Sequence, residues 1–588
     1  MTGVEIVLAI VKILIFVMFF LNMAALGIWA ERRQSAMIQD RPGPNRAVVY
    51  LPSMVARGLV FGPPALLAGL AALRAIGDFR PQAGVEWMVI ALELMVFVAW
   101  FSLLVLYRVV RSGAPINGAE EALAGANPRA IFYTGLVAHL VVLFVVPSIP
   151  REAAPMGARV ALGLLAALLL AVGGYSASRV SEGKVALRLA GTLHSLADAL
   201  KLVFKEDFVP AKADKLLHSI APIIALFPAL VVFAVLPFGD RLCFGDNGDG
   251  VFGFADLPLL QRTMGPTFQC ANHVVSLQIV DLNVGILFFF AMAGTGVIGA
   301  ALAGWASDNK FSLLGGLRAA SQMVSYEVAM GLSIVGLFMI YGSLRFQPMV
   351  EWQGMYAWGI FVQPFAFFLF LAALTCETKR VPFDQPEGES EIVAGYFVEY
   401  SGMKFGMFYM GEYIELFTSS ALLVTLFFGG YALPFLHSDG ITVAFGDSVL
   451  FQYKMTHASV AVLQALAFFG KTVVMSFVTI FYRWTLPRFR YDQVMRLGWT
   501  KLLPFAIANM LVTGVLVLAV DFAPVGFQNG LRIAGQVTQA IIALGSVAAV
   551  VALISLFLEP VHRKTFLNST SARFAAAAGG TKATPQQA

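Results

Sequence analysis

Long apolar runs alternate with short polar segments along nearly the whole chain, and each run is about as long as a bilayer crossing. A membrane-spanning helix needs about 20 largely apolar residues. Thirteen runs qualify as candidates, at 6–28, 55–77, 87–107, 130–149, 158–177, 217–237, 283–303, 327–343, 357–376, 409–430, 458–482, 502–520 and 534–557. The pattern predicts an all-α polytopic membrane protein. Gly62-Pro63-Pro64 interrupts the second run, which is expected to be broken or re-entrant. The stretch LHSLADALKLVFKEDFVP (193–210) repeats Leu193, Leu196, Leu200 and Val203 at helical spacing, opposite Asp198, Lys201 and Lys205. It is too polar to span and is expected to lie along the membrane surface.

Composition agrees with that class. Hydrophobic residues make up 59% and charged residues 13% of the 588, and mean hydropathy is +0.78. A soluble domain carries about 25% charged residues. The net charge of +5 therefore speaks of orientation in a membrane, not of nucleic acid. Basic residues fill alternate loops: Arg32, Arg33, Arg41 and Arg46; Arg108 and Arg111; Arg179, Lys184 and Arg188; Lys201 to Lys215; Lys310 and Arg318; Lys379 and Arg380; Arg483 to Arg496; Arg563 and Lys564. The intervening loops hold few. The rich set is expected in the cytoplasm, leaving the N-terminus outside and the C-terminus inside. The first run leads into a charged motif, with no small-residue cleavage site of a secretory signal. Three cysteines with no CxxC pair point to neither zinc nor an iron–sulfur cluster. DNGDG at 246–250 lacks the spacing of a calcium loop. With no dinucleotide fingerprint or phosphate loop, NAD and ATP are not expected to bind this chain.

The densest chemistry lies at CETKRVPFDQPEGESEIVAGYFVEYSGMKF, residues 376–405. Glu377, Asp384, Glu387, Glu389, Glu391 and Glu399 are opposed there only by Lys379, Arg380 and Lys404, and the next apolar run carries Glu412 and Glu415. Two readings stand: a solvated acidic loop, or carboxylates that share protons because they cannot all ionise at low dielectric. Continuation of the acids into the following run favours the second. Glu387, Glu389 and Glu391 are spaced too closely for one helical face, so an irregular loop lining a wet cavity is expected. Glu327 opens an otherwise uncharged run, either as a carboxylate at a helix N-terminus or as part of a charge path. Glu93 and His139, alone inside their runs, are expected to satisfy each other. No group on the chain carries electrons, so redox work requires a partner with a cofactor.

The strings ERRQSAMIQDRPGPNR, SLADALKLVFKED, DLNVGILF, GWASDNKFSLLGGLRAASQMVSYE, ETKRVPFDQPEGESEIVAGYFVEYSGMKF, GEYIE and WTLPRFRYDQVMRLGW follow one another in order. Together they resemble the quinone-binding membrane component (the H subunit) of bacterial NADH:quinone oxidoreductase, respiratory complex I. The likeness covers residues 1–46 and roughly 185–520. It implies a core of eight helices in the bacterial inner membrane, at the mouth of a quinone chamber. Quinone would be the substrate, with lipid around the chain. FMN and iron–sulfur clusters would sit in partner subunits, namely those of the peripheral arm's quinone module, with small membrane subunits alongside. It carries over, as quinone-chamber and proton-path residues, Arg32, Arg41, Asp198, Glu206, Arg318, Glu327, Glu377, Arg380, Asp384, Glu387, Glu389, Glu391, Glu399 and Glu412.

The chain departs from that pattern in places. Residues 47–184 are inserted directly after GPNR and hold about four helices. His194 replaces the family's Gln before SLAD, the outer loop 239–281 is long, and an extra helix lies within 523–567. The expected division is therefore 1–46, the insertion 47–184, the core 185–522, the extra helix 523–567 and a disordered tail 568–588. Cys243 and Cys270 share the outer loop, where an oxidising compartment would let them pair. The runner-up is the related membrane component of energy-converting hydrogenases and other ferredoxin-linked complexes. An autonomous cation transporter is a further alternative, which the lack of an inverted repeat disfavours.

Overall fold

Lipid offers backbone amides no partner, so the apolar runs close their hydrogen bonds within helices. The structure, a computed structural model, describes residues 3–39, 43–44, 47, 49–52, 184–187, 191–244, 273–437, 440–445, 448–454 and 457–558, with scattered positions between 54 and 72 and between 160 and 174. The chain divides into two units, residues 1–43 with 195–545, and residues 44–194 with 546–588.

The first unit begins with helix α1 (Gly3–Ile38). It continues with α2 (Leu193–Phe204), whose first two residues fall in the other unit, and α3 (Lys215–Val231). Then come α4 (Gly285–Ala306), α5 (Lys310–Tyr341), α6 (Phe346–Met355), α7 (Gly359–Val362) and α8 (Pro364–Glu377). The short α9 (Glu389–Ile392) precedes α10 (Gly402–Phe427), α11 (His457–Thr485), α12 (Tyr491–Leu497) and α13 (Leu503–Asp521). Helix α14 (Val525–Leu558) runs past the unit's boundary. Among the described residues six helices are long and apolar enough to cross a membrane: Glu5–Ala36, Lys215–Val235, Gly285–Ala306, Lys310–Tyr341, Val460–Arg483 and Tyr491–Asp521. The chain is an all-α polytopic membrane protein.

Helices pack closely where small residues meet. A Cβ at Gly299 on α4 would lie 2.6 Å from the Ala225 backbone nitrogen on α3. In lipid, where apolar burial gives little drive, such close approach is what holds helices together. The aromatic core joins α1 to the end of α3 and to α11, with Phe20 and Phe233 centroids 4.0 Å apart and Phe19 and Phe469 at 4.3 Å.

Three sequence expectations change. Helix α5 begins at Lys310, not near 327, because Asn309 caps it by accepting from the Phe311 N–H at 2.9 Å. Glu327 is consequently mid-helix, and the N-terminal reading of it does not hold. The run 357–376 is split into α7 and α8 at Gln363 and Pro364. The trio Glu387, Glu389 and Glu391 does not lie in one irregular loop, since Glu389 and Glu391 share the single turn of α9.

In the second unit strands Val49–Pro52 and Lys184–Leu187 pair antiparallel, Val49 opposite Leu187 and Pro52 opposite Lys184. This ribbon brings residues 49–52 and 184–187 side by side. Beside it, the Ala47 N–H donates to His194 Nε2 at 3.3 Å. Most of the apolar runs between 47 and 184, with Glu93 and His139, lie outside the described residues, as do Arg41, Cys270, the Cys243 side chain and residues 559–588.

Candidate functional site

The acidic segment is folded onto the helices and is not a solvated loop at its centre. Gln322 of α5 donates through Nε2 to the Cys376 and Phe383 carbonyls, at 2.9 and 2.8 Å. Gly315 of α5 lets the backbone of Gly395 and Tyr396 lie directly on that helix, since a Cβ there would come within 2.5 Å of the Tyr396 nitrogen. Ser312 Oγ donates to the Tyr396 carbonyl at 2.8 Å. As a result Glu377, Lys379 and Asp384 are buried.

Four polar groupings gather around this segment. In the first, Glu31 of α1 accepts from Arg380 Nη1 at 3.0 Å and from the Tyr413 hydroxyl at 2.5 Å, and pairs with Arg483 of α11. The Arg380 guanidinium also stacks 4.3 Å from the Tyr413 ring centroid. In the second, Tyr396 donates to Glu412 Oε1 at 3.0 Å, and Glu387 interacts with the same carboxylate. In the third, the Lys379 ammonium lies 3.6 Å from Glu415, and both interact with Glu377. In the fourth, Arg488 bonds Asp384 at 2.5 Å.

These neighbours set the titration of the loop groups. Burial pushes the Asp384 carboxyl up to about 6, against the lowering pull of Arg488 and Arg483. Burial, reinforced by Glu412, holds Glu387 well above the usual carboxylate range. Burial disfavours the Lys379 ammonium, but Glu415 and Glu412 outweigh it and raise its pKa. A loop carboxyl that titrates near neutral pH can give and take protons under working conditions. Arg380 Nε and Nη2, Glu377 Oε2 and Asp384 Oδ1 are buried without a hydrogen-bond partner among the described residues, which leaves capacity at the heart of the site.

The remaining predicted residues lie apart from this centre. Glu391 turns to Arg318 at 2.6 Å and is 42% exposed. Glu399 accepts from Asn309 at 2.6 Å, and Arg32 pairs with Asp198 at 2.6 Å. The Glu206 side chain is exposed, though its carbonyl accepts from Ser401 Oγ at 2.8 Å. Glu327 faces α4, its carboxylate against Gly294. The Glu389 side chain is outside the described residues. Sequence reasoning left Glu31, Tyr396, Tyr413, Arg483, Arg488 and the pairing of Lys379 with Glu415 off the list of site residues. Glu31 was visible as the acid of AERR, but its two adjacent arginines masked it.

With the geometry in view, the likeness to known proteins becomes specific. A family profile described as NADH dehydrogenase matches residues 158–514, more than half of the chain. The chain belongs to that family. An NADH-quinone oxidoreductase H subunit of Geobacter sulfurreducens is 40% identical over 390 residues, 66% of this chain and 96% of that protein. Its counterpart from Cytophaga hutchinsonii is 40% identical over 328 residues, 56% of this chain and 84% of its own. The NADH-quinone oxidoreductase H subunit of Flavobacterium psychrophilum is 41% identical over 333 residues, again 56% and 84%. Family membership makes this chain a multi-pass membrane subunit of an NADH-quinone oxidoreductase, an enzyme complex of several chains.

Proposed function

We propose that this chain forms the membrane mouth of the quinone chamber of its complex and holds the first groups of the path that couples quinone reduction to proton movement. The observation that carries the reading is the largely buried cluster of carboxylates and basic groups running from Asp384 and Arg488, through Glu387, Glu412 and Tyr396, to Lys379, Glu415 and Glu377, with Glu31, Arg380 and Arg483 beside it. FMN and iron–sulfur clusters in partner subunits supply the electrons, and quinone takes two electrons and two protons. Arg380, with two unused buried donors, suits a quinone oxygen as negative charge develops on it.

Proton movement follows from shared charge. Glu387 lies beside Glu412, and burial together with that neighbouring carboxylate holds Glu387 well above the usual carboxylate range. A change of charge on quinone near the loop shifts that balance and moves the proton held by Glu387. Tyr396 keeps Glu412 in place, and the Lys379–Glu415–Glu377 group passes the shift inward toward Glu327. The basic loops set this face in the cytoplasm, with the N-terminus outside. The insertion 47–184 takes no part in the chemistry and serves as a packing surface for lipid or a neighbouring subunit.

Glu412→Gln in the assembled complex tests the reading, because it keeps the shape and removes the carboxylate that faces Glu387 and Tyr396. Quinone reduction and proton pumping should fall together while the complex still assembles. Full pumping at a full rate would return the acids to a structural role.

A further inference from the structure

Sequence reasoning passed over a charge in the middle of an apolar helix. Lys471 sits near the centre of the span Val460–Arg483, and no ion pair of Lys471 occurs among the described residues. Its ammonium instead donates to the carbonyls of Phe428, Gly430 and Ala432, at 2.9, 3.0 and 2.7 Å. It also lies 4.5 Å from the Trp358 ring centroid.

The carbonyls converge because α10 ends in two successive left-handed residues, Gly429 (φ +72°) and Gly430 (φ +50°). Left-handed backbone favours glycine, which has no Cβ to clash. The rest of the turn is fastened from the other side. Gln353 Oε1 accepts from the Gly359 and Gly429 N–H groups at 3.0 and 2.9 Å, and Gln347 donates to the Tyr431 hydroxyl at 2.8 Å. Three carbonyl dipoles at a helix C-terminus, roofed by an indole face, make a receptor for a cation with three N–H donors. An ammonium has three, and each finds a carbonyl. A neutral amine would turn its lone pair on one of them.

We propose that residues 428–432 with Trp358 form a cation site for a primary ammonium, filled in this chain by its own Lys471. The tether fixes the C-terminal end of the helix that carries Glu412 and Glu415. The proposal stands independently of the quinone reading.

The test uses the whole complex in native membranes and follows the half-life of NADH-quinone reductase activity on heating. Lys471→Met keeps the stem and removes the cation, and Lys471→Ala opens the cage to a small guest. Both should shorten the half-life about tenfold or more, since each loses three bonds to a charged donor. Added n-propylamine should restore most of the half-life of Lys471→Ala and none of that of Lys471→Met, whose stem blocks the cage. 1-Propanol and tetramethylammonium, which cannot offer three N–H donors, should restore neither. Native half-lives in both variants would overturn the proposal, as would equal rescue by propanol or equal rescue of Lys471→Met.

Discussion

Glu31 offers the sharpest test of the site. Its carboxylate is 7% exposed and faces two guanidiniums and a tyrosine hydroxyl, with Arg380 at 3.0 Å, Tyr413 at 2.5 Å and Arg483 in direct contact. Glu31→Gln keeps the volume but removes the carboxylate that Arg380 and Arg483 share. Breaking a buried pair by removing one partner costs about 3–5 kcal/mol. The Gln carbonyl can still accept one bond, so the expected loss sits at the lower end, about 3 kcal/mol. At 1.36 kcal/mol per factor of ten, that is a change of roughly a hundredfold. The assay is the thermal half-life of NADH-quinone reductase activity in membranes, for Glu31→Gln, Arg483→Gln and the double variant. Residues in direct contact couple by about 0.5–3 kcal/mol. The double variant should therefore be less harmful than the product of the single effects, because the second change removes the guanidinium whose contact with Glu31 the first had already broken. Strictly multiplicative effects, or a Glu31→Gln half-life equal to the native one, would refute the assignment of Glu31 as the counter-charge of this cluster.

Three further outcomes follow from the geometry. Arg488→Gln removes the strongest influence lowering the Asp384 pKa of about 6, so an acid limb of the quinone-reductase pH profile near that value should move upward, and an unmoved limb would count against it. The same group links pH to stability: its folded pKa lies above the usual 3.8, so its contribution is full below 3.8 and lost as pH rises through about 6. Glu391→Gln should cost less than about 1 kcal/mol and leave quinone reduction nearly intact, since the ion pair with Arg318 is partly exposed, whereas a loss as deep as that of Glu412→Gln would put Glu391 back at the centre. Gly315→Ala places a methyl group 2.5 Å from the Tyr396 backbone nitrogen and should abolish assembly, read on a native gel; normal amounts of complex would show that the segment does not sit on α5 as described.

Much of this was legible because lipid imposes simple rules. Apolar length marked α4 and α11 within a few residues and the start of α1 and α3, and the local excess of acid marked the site. The rule failed where a polar cap extends a helix beyond its apolar part. SDNKFSLLGGLRAASQ carries too much polarity to resemble a membrane run, yet Asn309 caps it and it forms the first half of α5. That error moved Glu327 from the interior of a helix to its start and let an N-terminal role stand as one of its two explanations. The break at Gln363 was hidden in the opposite way. Its amide bonds are made good from a distance, by Nε2 donating to Thr513 Oγ1 at 2.6 Å and Oε1 accepting from Asn509 at 3.2 Å, so the apolar run shows no gap.

What the sequence does not carry is the choice of partner. Glu31 meets Arg380 and Arg483 across 349 and 452 positions. No local spacing relates such residues, whereas Glu387, Glu389 and Glu391 are close in sequence and invite a common role. The structure parts the first and last of that trio: Glu387 turns inward to Glu412, and Glu391 turns outward to Arg318. A single turn of helix at 389–392, fixed by the backbone resting on Gly315 and Gly395, is enough to separate them. Density of charge in a sequence therefore locates a site of this kind, but the assignment of each carboxylate belongs to the helices it faces. Glu31, followed in sequence by Arg32 and Arg33 yet bonded to Arg380 and Arg483, shows how far the two can diverge.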